Sequence, residues 1–174
     1  MSQQDIKQIV AQEYIKCAKD PAYFMKKYCY IQHPTRGRIL FNLYPFQEGV
    51  LHLFRDEKML ITLKSRQLGI STLASAYALW LMIFHKDKNV LALAITQATA
   101  RNLVTKTIFM YENLPKWLQL PFTEKNKLSL RLKNGSKITA KSSNSDAARS
   151  EAVSLLLIDC LLYTSPSPRD ATLS

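Results

Sequence analysis

Lys58-Met59-Leu60-Ile61-Thr62-Leu63-Lys64-Ser65-Arg66-Gln67-Leu68-Gly69-Ile70-Ser71-Thr72 reads as an apolar run, a tight polar loop and the opening of an apolar helix. That order is the layout of a phosphate-binding P-loop. Glycine lets the backbone approach the phosphates, helix N-terminal amides hold them, a lysine supplies charge and a hydroxyl takes magnesium. Against the strict pattern GxxxxGK[ST], Gly69 and Ser71 keep their places, Lys64 stands where the first glycine belongs, and Ile70 stands where the lysine belongs. Taken alone, the same text also fits an ordinary strand-turn-helix, so the rest of the chain has to decide.

The chain has 174 residues, 47% of them hydrophobic, with 4 glycines, a composition that supports one folded core and argues against disorder. Its formal charge of +11 is spread through the sequence and points to a polyanion, with nucleic acid the leading partner. Cys17, Cys29 and Cys160 show no CxxC spacing and an odd count, which fits reduced thiols and gives no zinc signature. The apolar run at 73–84 is too short to span a bilayer and follows the loop directly, so it reads as a buried helix. The start, Met1-Ser2-Gln3-Gln4-Asp5, lacks the basic and then apolar character of a secretory signal, and no membrane partner is expected.

Outward from the loop, helical spacing covers about 4–19, and Asp20-Pro21 caps a second short helix to Tyr28. A turn at 34–37 precedes a short strand at 38–41, and Tyr44-Pro45-Phe46-Gln47 opens a helix ending near Arg55. Residues 59–63 and 89–95 read as buried strands alternating with helices at 71–84 and 96–112, which predicts a parallel sheet covered on both faces. Residues 128–132 and 136–140, joined through Asn134-Gly135, form a β-hairpin signal. Val153-Ser154-Leu155-Leu156-Leu157-Ile158-Asp159 is another buried strand, and it ends in an acid.

An apolar strand ending in aspartate, downstream of a P-loop, is the Walker B arrangement, whose carboxylate holds the magnesium hydration shell. The expected fold class is therefore α/β, a P-loop NTPase of the ASCE type with a mainly parallel sheet flanked by helices and cut off after the Walker B strand. ATP and magnesium are the expected cofactors. Two other readings stay open: another P-loop nucleic-acid translocase or helicase, and a non-catalytic basic nucleic-acid-binding module whose loop is accidental.

Several further stretches occur in a telling order. They are Lys27-Tyr28-Cys29-Tyr30-Ile31-Gln32-His33-Pro34, Leu43-Tyr44-Pro45-Phe46-Gln47, Ser65-Arg66-Gln67-Leu68-Gly69, and the loop at 142–149 before the strand at 155–159. Over residues 23–159 the chain resembles the ATPase domain of the tailed-phage large terminase of the myovirus type, the DNA-packaging motor. The resemblance implies residue roles. Tyr44, Phe46 and Gln47 match an adenine-recognising motif, in which a glutamine amide pairs with the adenine edge and an aromatic ring stacks on it. The same residues also fit a core Phe46 with Gln47 on the helix surface. Residues Lys64, Ser65, Arg66, Gln67, Leu68, Gly69, Ile70, Ser71 and Thr72 match the phosphate loop, with Ser71 and Asp159 holding magnesium and Thr72 the less favoured hydroxyl. Lambda-type large terminases are similar in carrying the lysine at the front of the loop, so Lys64 takes the lysine role. Arg66 resembles the arginine that stabilises transition-state charge, in cis or towards a neighbouring subunit.

Where the family continues Asp-Glu, the chain reads Asp159-Cys160, and a neutral thiol is a poor general base. The following text, through Pro166 and Pro168, loses all apolar periodicity and resembles translated sequencing-adapter read-through. The expected organisation is a partial ATPase domain at 1–159, with a helical lead-in at 1–40. A non-native or disordered tail at 160–174 follows, and the nuclease domain is absent. The resemblance further implies an ATPase as parent with an inactive fragment here. It implies double-stranded DNA, portal protein and small terminase subunit as partners, a ring homo-oligomer when packaging, and a phage-encoded protein of the host cytoplasm that docks transiently at the prohead portal.

Overall fold

A computed structural model describes residues 3–65, 67–142 and 152–159. In chain order the elements are α1 (Gln3–Lys19), α2 (Pro21–Tyr28), β1 (Tyr30–His33), β2 (Gly37–Leu40), α3 (Pro45–Asp56), α4 (Ile70–Phe84), β3 (Asn89–Ala94), α5 (Gln97–Glu112), β4 (Phe122–Lys125), β5 (Ser129–Leu132), β6 (Lys137–Ser142) and β7 (Leu155–Asp159). β1 and β2 form an antiparallel hairpin, and the other strands make one sheet in the order β4-β5-β6-β3-β7.

The sheet is mixed. β3 runs parallel to both β6 and β7, while β4 and β5 extend the sheet in antiparallel fashion beyond β6. The parallel part is where the expected α/β logic holds, because α5 forms the crossover after β3 and packs on β3 and β6. The antiparallel part follows from the Asn134-Gly135 turn, where Gly135 takes φ 86° and its N–H donates to Leu132 O at 3.1 Å. The Asn134 amide donates to Met82 O (2.8 Å) and His85 O (3.2 Å), which ties the hairpin to the C-terminal end of α4.

α4 is the centre of the molecule. It packs against α5, α2, α3 and β7, and the whole run from Leu73 to Leu79 is buried. An apolar helix without a polar face needs cover on every side, and these neighbours supply it. Trp80 donates its indole N–H to Cys17 O at 2.8 Å, closing α1 onto α4. The Asp20 carboxylate caps α2 by accepting from the N–H groups of Ala22 (2.8 Å) and Tyr23 (3.2 Å). Cys17 and Cys29 are free and buried, and burial pushes both thiols up, Cys17 to about 11.

Two sequence expectations change. Residues 59–63 form no strand: Met59, Ile61 and Leu63 are 85%, 92% and 92% exposed and pair with no described strand. A β-strand is held by a neighbour's backbone, and the sheet's outer strands, β4 and β7, are each paired on one side only. The sheet is also not fully covered on both faces at β7, where Leu155 and Leu157 pack on the core while Leu156 and Ile158 are each 48% exposed. The expectations placed on Arg66, most of the 142–149 loop, Cys160 and the tail lie outside the described residues. Among the described residues, no helix is long and apolar enough to cross a membrane.

Candidate functional site

The loop entering α4 is bent by two left-handed residues, Gln67 at φ 66° and Gly69 at φ 72°. Gly69 is the N-cap of α4, and no side chain caps the helix, so its first amides are presented at the loop without a capping acceptor. Glycine is required there twice over. The backbone is left-handed, and an added Cβ would lie 2.7 Å from the Gln47 amide nitrogen.

Gln47 holds this loop from α3. Its Nε2 donates to Leu68 O (3.0 Å), its Oε1 accepts from Tyr44 N–H (3.1 Å), and the residue is 2% exposed. Beside it the Tyr44 and Phe46 rings stack at 5.7 Å and 7°, and they are 63% and 45% exposed. The alternative of a core Phe46 with a surface Gln47 is thus inverted: the amide is inside and the ring outside. The cause is local. Gln47 is the third residue of α3, placed to reach back to the Tyr44 amide as the acceptor half of a capping box.

At the other side of the loop, Ser71 Oγ donates to Asp159 Oδ2 at 3.0 Å. These residues are 88 positions apart in sequence. They meet because β7 pairs in parallel with β3, Ala94 opposite Asp159, which sets the carboxylate at the strand's C-terminal end beside the first turn of α4. Open α/β sheets bind ligands at that end of their parallel strands. Lys64 and Ser65 are exposed ahead of the loop, Ile70 is buried at 8% exposure, and Thr72 is partly buried on α4.

The structure adds Lys106, which the sequence reading did not single out. It lies half-buried on α5, beside the fully or nearly buried Leu103, Thr107 and Met110. With Thr72, His33 and Phe109 it lines a cavity of about 360 Å³ between α4, α5 and the β1–β2 hairpin. Burial lowers the pKa of its ammonium, the Asp159 carboxylate acts in the opposite sense, and Lys64 adds repulsion. Charges from Asp159 and Lys64 thus both act on Lys106. The signal in the sequence was a lysine inside the buried stripe of an amphipathic helix.

The donor set suits a hard cation held jointly with a ligand. One hydroxyl and one carboxylate supply oxygen, and the described residues contain no group of three His, Cys, Asp or Glu side chains able to hold a metal by themselves. Magnesium typically takes one or two carboxylates and completes its shell with water and phosphate oxygens.

The crystal structure of the HK97 bacteriophage large terminase has the same fold: it superposes with a TM-score of 0.64 at 17% identity, covering 82% of this chain and 30% of that one. The chain thus spans about a third of the length of that terminase. Residues 61–159, more than half of the chain and including the loop, α4 and the strand to Asp159, match the family described as terminase large subunit, T4likevirus-type, N-terminal. The chain belongs to the T4-type terminase large-subunit family.

Proposed function

We propose that this chain is the nucleotide-binding part of an ATP-driven DNA-packaging motor subunit. The observation that carries the reading is the Ser71–Asp159 hydrogen bond, which brings a loop hydroxyl and a strand-end carboxylate to the N-terminus of α4. Gly69 and the first amides of α4 hold the phosphates, with Lys64 and Arg66 supplying charge from the loop. Ser71 and Asp159 hold magnesium, which when bound neutralises charge on the phosphate oxygens. The exposed Tyr44–Phe46 pair stacks on adenine, and Gln47 links that platform to the phosphate loop through Leu68 O.

ATP hydrolysis belongs to the parent enzyme. In this chain the position after Asp159 is Cys160, a neutral thiol where a carboxylate base is needed, so it binds ATP with negligible turnover. The formal charge of +11 supports sequence-independent contact with double-stranded DNA, which a motor moving along any sequence requires. Portal protein, small terminase subunit and neighbouring copies in a ring are the assembly partners, at the prohead portal in the host cytoplasm.

Equilibrium ATP binding with and without magnesium tests the reading. Ser71→Ala and Asp159→Asn are expected to remove most of the magnesium-dependent part of the affinity, and Lys64→Ala to weaken binding in both conditions, with circular dichroism unchanged. Equal affinity in all variants would refute the site.

A further inference from the structure

Ile70, buried at the first position of α4 where the strict P-loop carries its lysine, supplies no charge to a triphosphate. Lys64 is exposed and lies ahead of the loop in a segment that pairs with no described strand. We infer that Lys106 of α5 is a second phosphate-binding cation, acting beside Lys64 and reaching the ATP phosphates from the cavity it shares with Thr72. The inference rests on the ATP-binding reading and deepens it.

Three independent features support it. Lys106 and Thr72 line the same cavity of about 360 Å³, and Thr72 belongs to the first turn of α4, immediately after the Ser71 that bonds Asp159. No ion pair forms between Lys106 and any described carboxylate. The Asp159 carboxylate acts on Lys106 by charge, in the opposite sense to burial. A half-buried ammonium with no ion-pair partner among the described residues gains from a group of opposite charge, and a phosphate oxygen supplies one. Lysine suits the task because a compact point charge on a flexible stem adapts to a phosphate without needing a planar partner. The alternative role for such a lysine is to bury its stem and extend its charge into water. That role predicts no preference among nucleotides.

The test uses the full 174-residue chain, with ATP, ADP and adenosine titrated in magnesium buffer against wild type, Lys106→Met and Lys106→Arg. Lys106→Met keeps the stem and removes the charge. It is expected to weaken ATP by about ten- to a hundredfold, the value of one charge-assisted hydrogen bond, with ADP less affected and adenosine unchanged. Lys106→Arg should keep most of the ATP affinity. Unchanged ATP affinity in Lys106→Met, or an equal loss for ATP and adenosine, overturns the role of Lys106 while leaving the ATP reading intact. Absence of ATP binding by wild type overturns both.

Discussion

The two sides of the phosphate loop have similarly apolar sequences and opposite fates. After Gly69, the run from Ile70 to Phe84 is a helix with most of its side chains buried; before it, residues 59–63 pair with no described strand, and Met59, Ile61 and Leu63 are open to solvent. The difference lies in where each segment finds its hydrogen bonds. A helix satisfies its backbone within itself and needs neighbours only for its side chains, which α2, α3, α5 and β7 provide. A strand needs another backbone alongside it, and no described strand lies beside residues 59–63. Apolar content specifies burial only where a partner is present to receive it.

Substitution on the helical side should show the largest effect. Leu79 is fully buried in α4. Leu79→Ala should lower unfolding free energy by about 2–5 kcal/mol in urea titration, the usual range for a large-to-small core change. A loss under about 1 kcal/mol would mean that α4 is not the centre of a packed core.

The loop between the two sides offers a sharper test, because its shape depends on a single clamp. Gln47→Ala removes the donor to Leu68 O and the acceptor for Tyr44 N–H, and should cost about 1–3 kcal/mol. Gly69→Ala forces a Cβ into a left-handed backbone, which costs about 1–2 kcal/mol, and towards the Gln47 amide. In the double variant that second conflict disappears. The two losses should therefore sum to more than the double variant shows, by at least about 0.5 kcal/mol, and strict additivity would mean that Gln47 does not close on the loop.

The same contrast explains what the sequence made legible. α4, β3, α5 and the Asn134-Gly135 hairpin follow from local periodicity or turn chemistry, and all four are found where expected. A strand ending in an acid is common by itself; the match to a P-loop upstream set Ser71 and Asp159 together, and in the structure their side chains meet. β4, Phe122-Thr123-Glu124-Lys125, was not readable. Its residues are all exposed, so it carries no burial pattern and owes its existence to pairing with β5. Gln47 was read as a base-contacting amide, while its two hydrogen bonds here go to the chain itself, a choice set by the fold around α3. Lys106 was hidden because a helical period records which residues face the core and says nothing of what a charged one meets there.

α1 is an intermediate case, with Ile6, Ile9 and Ile15 exposed and a polar network on its inner side. Glu13 Oε1 accepts from Tyr23 OH (2.6 Å), Tyr28 OH (2.8 Å) and Lys27 Nζ (2.6 Å). The Lys27 hydrogen bond first, then those of the two tyrosines, holds the Glu13 carboxyl at about 2, below its ordinary value of 4.5. A depressed carboxyl stabilises the fold above its unfolded value and loses that contribution as pH falls through the folded one. The thermal midpoint of Glu13→Gln should therefore lie below wild type at neutral pH, and the gap should close between about 4.5 and 2. A gap that stays constant across that window would show that α1 is held by its apolar contacts alone.

The smallest effect is expected on the strand-like side of the loop, and it bears most directly on the comparison. Leu63, 92% exposed, has little contact to lose. Leu63→Ser should change unfolding free energy by less than about 0.5 kcal/mol, the range for surface positions away from any special feature. Removing an exposed apolar side chain should also reduce self-association in sedimentation at high concentration, because exposed apolar surface recruits other copies. If Leu63→Ser instead destabilised the chain as strongly as Leu79→Ala, residues 59–63 would have to be packed in solution. The contrast between the two sides of the loop would then disappear, and a backbone pairing not found among the described residues would have to exist.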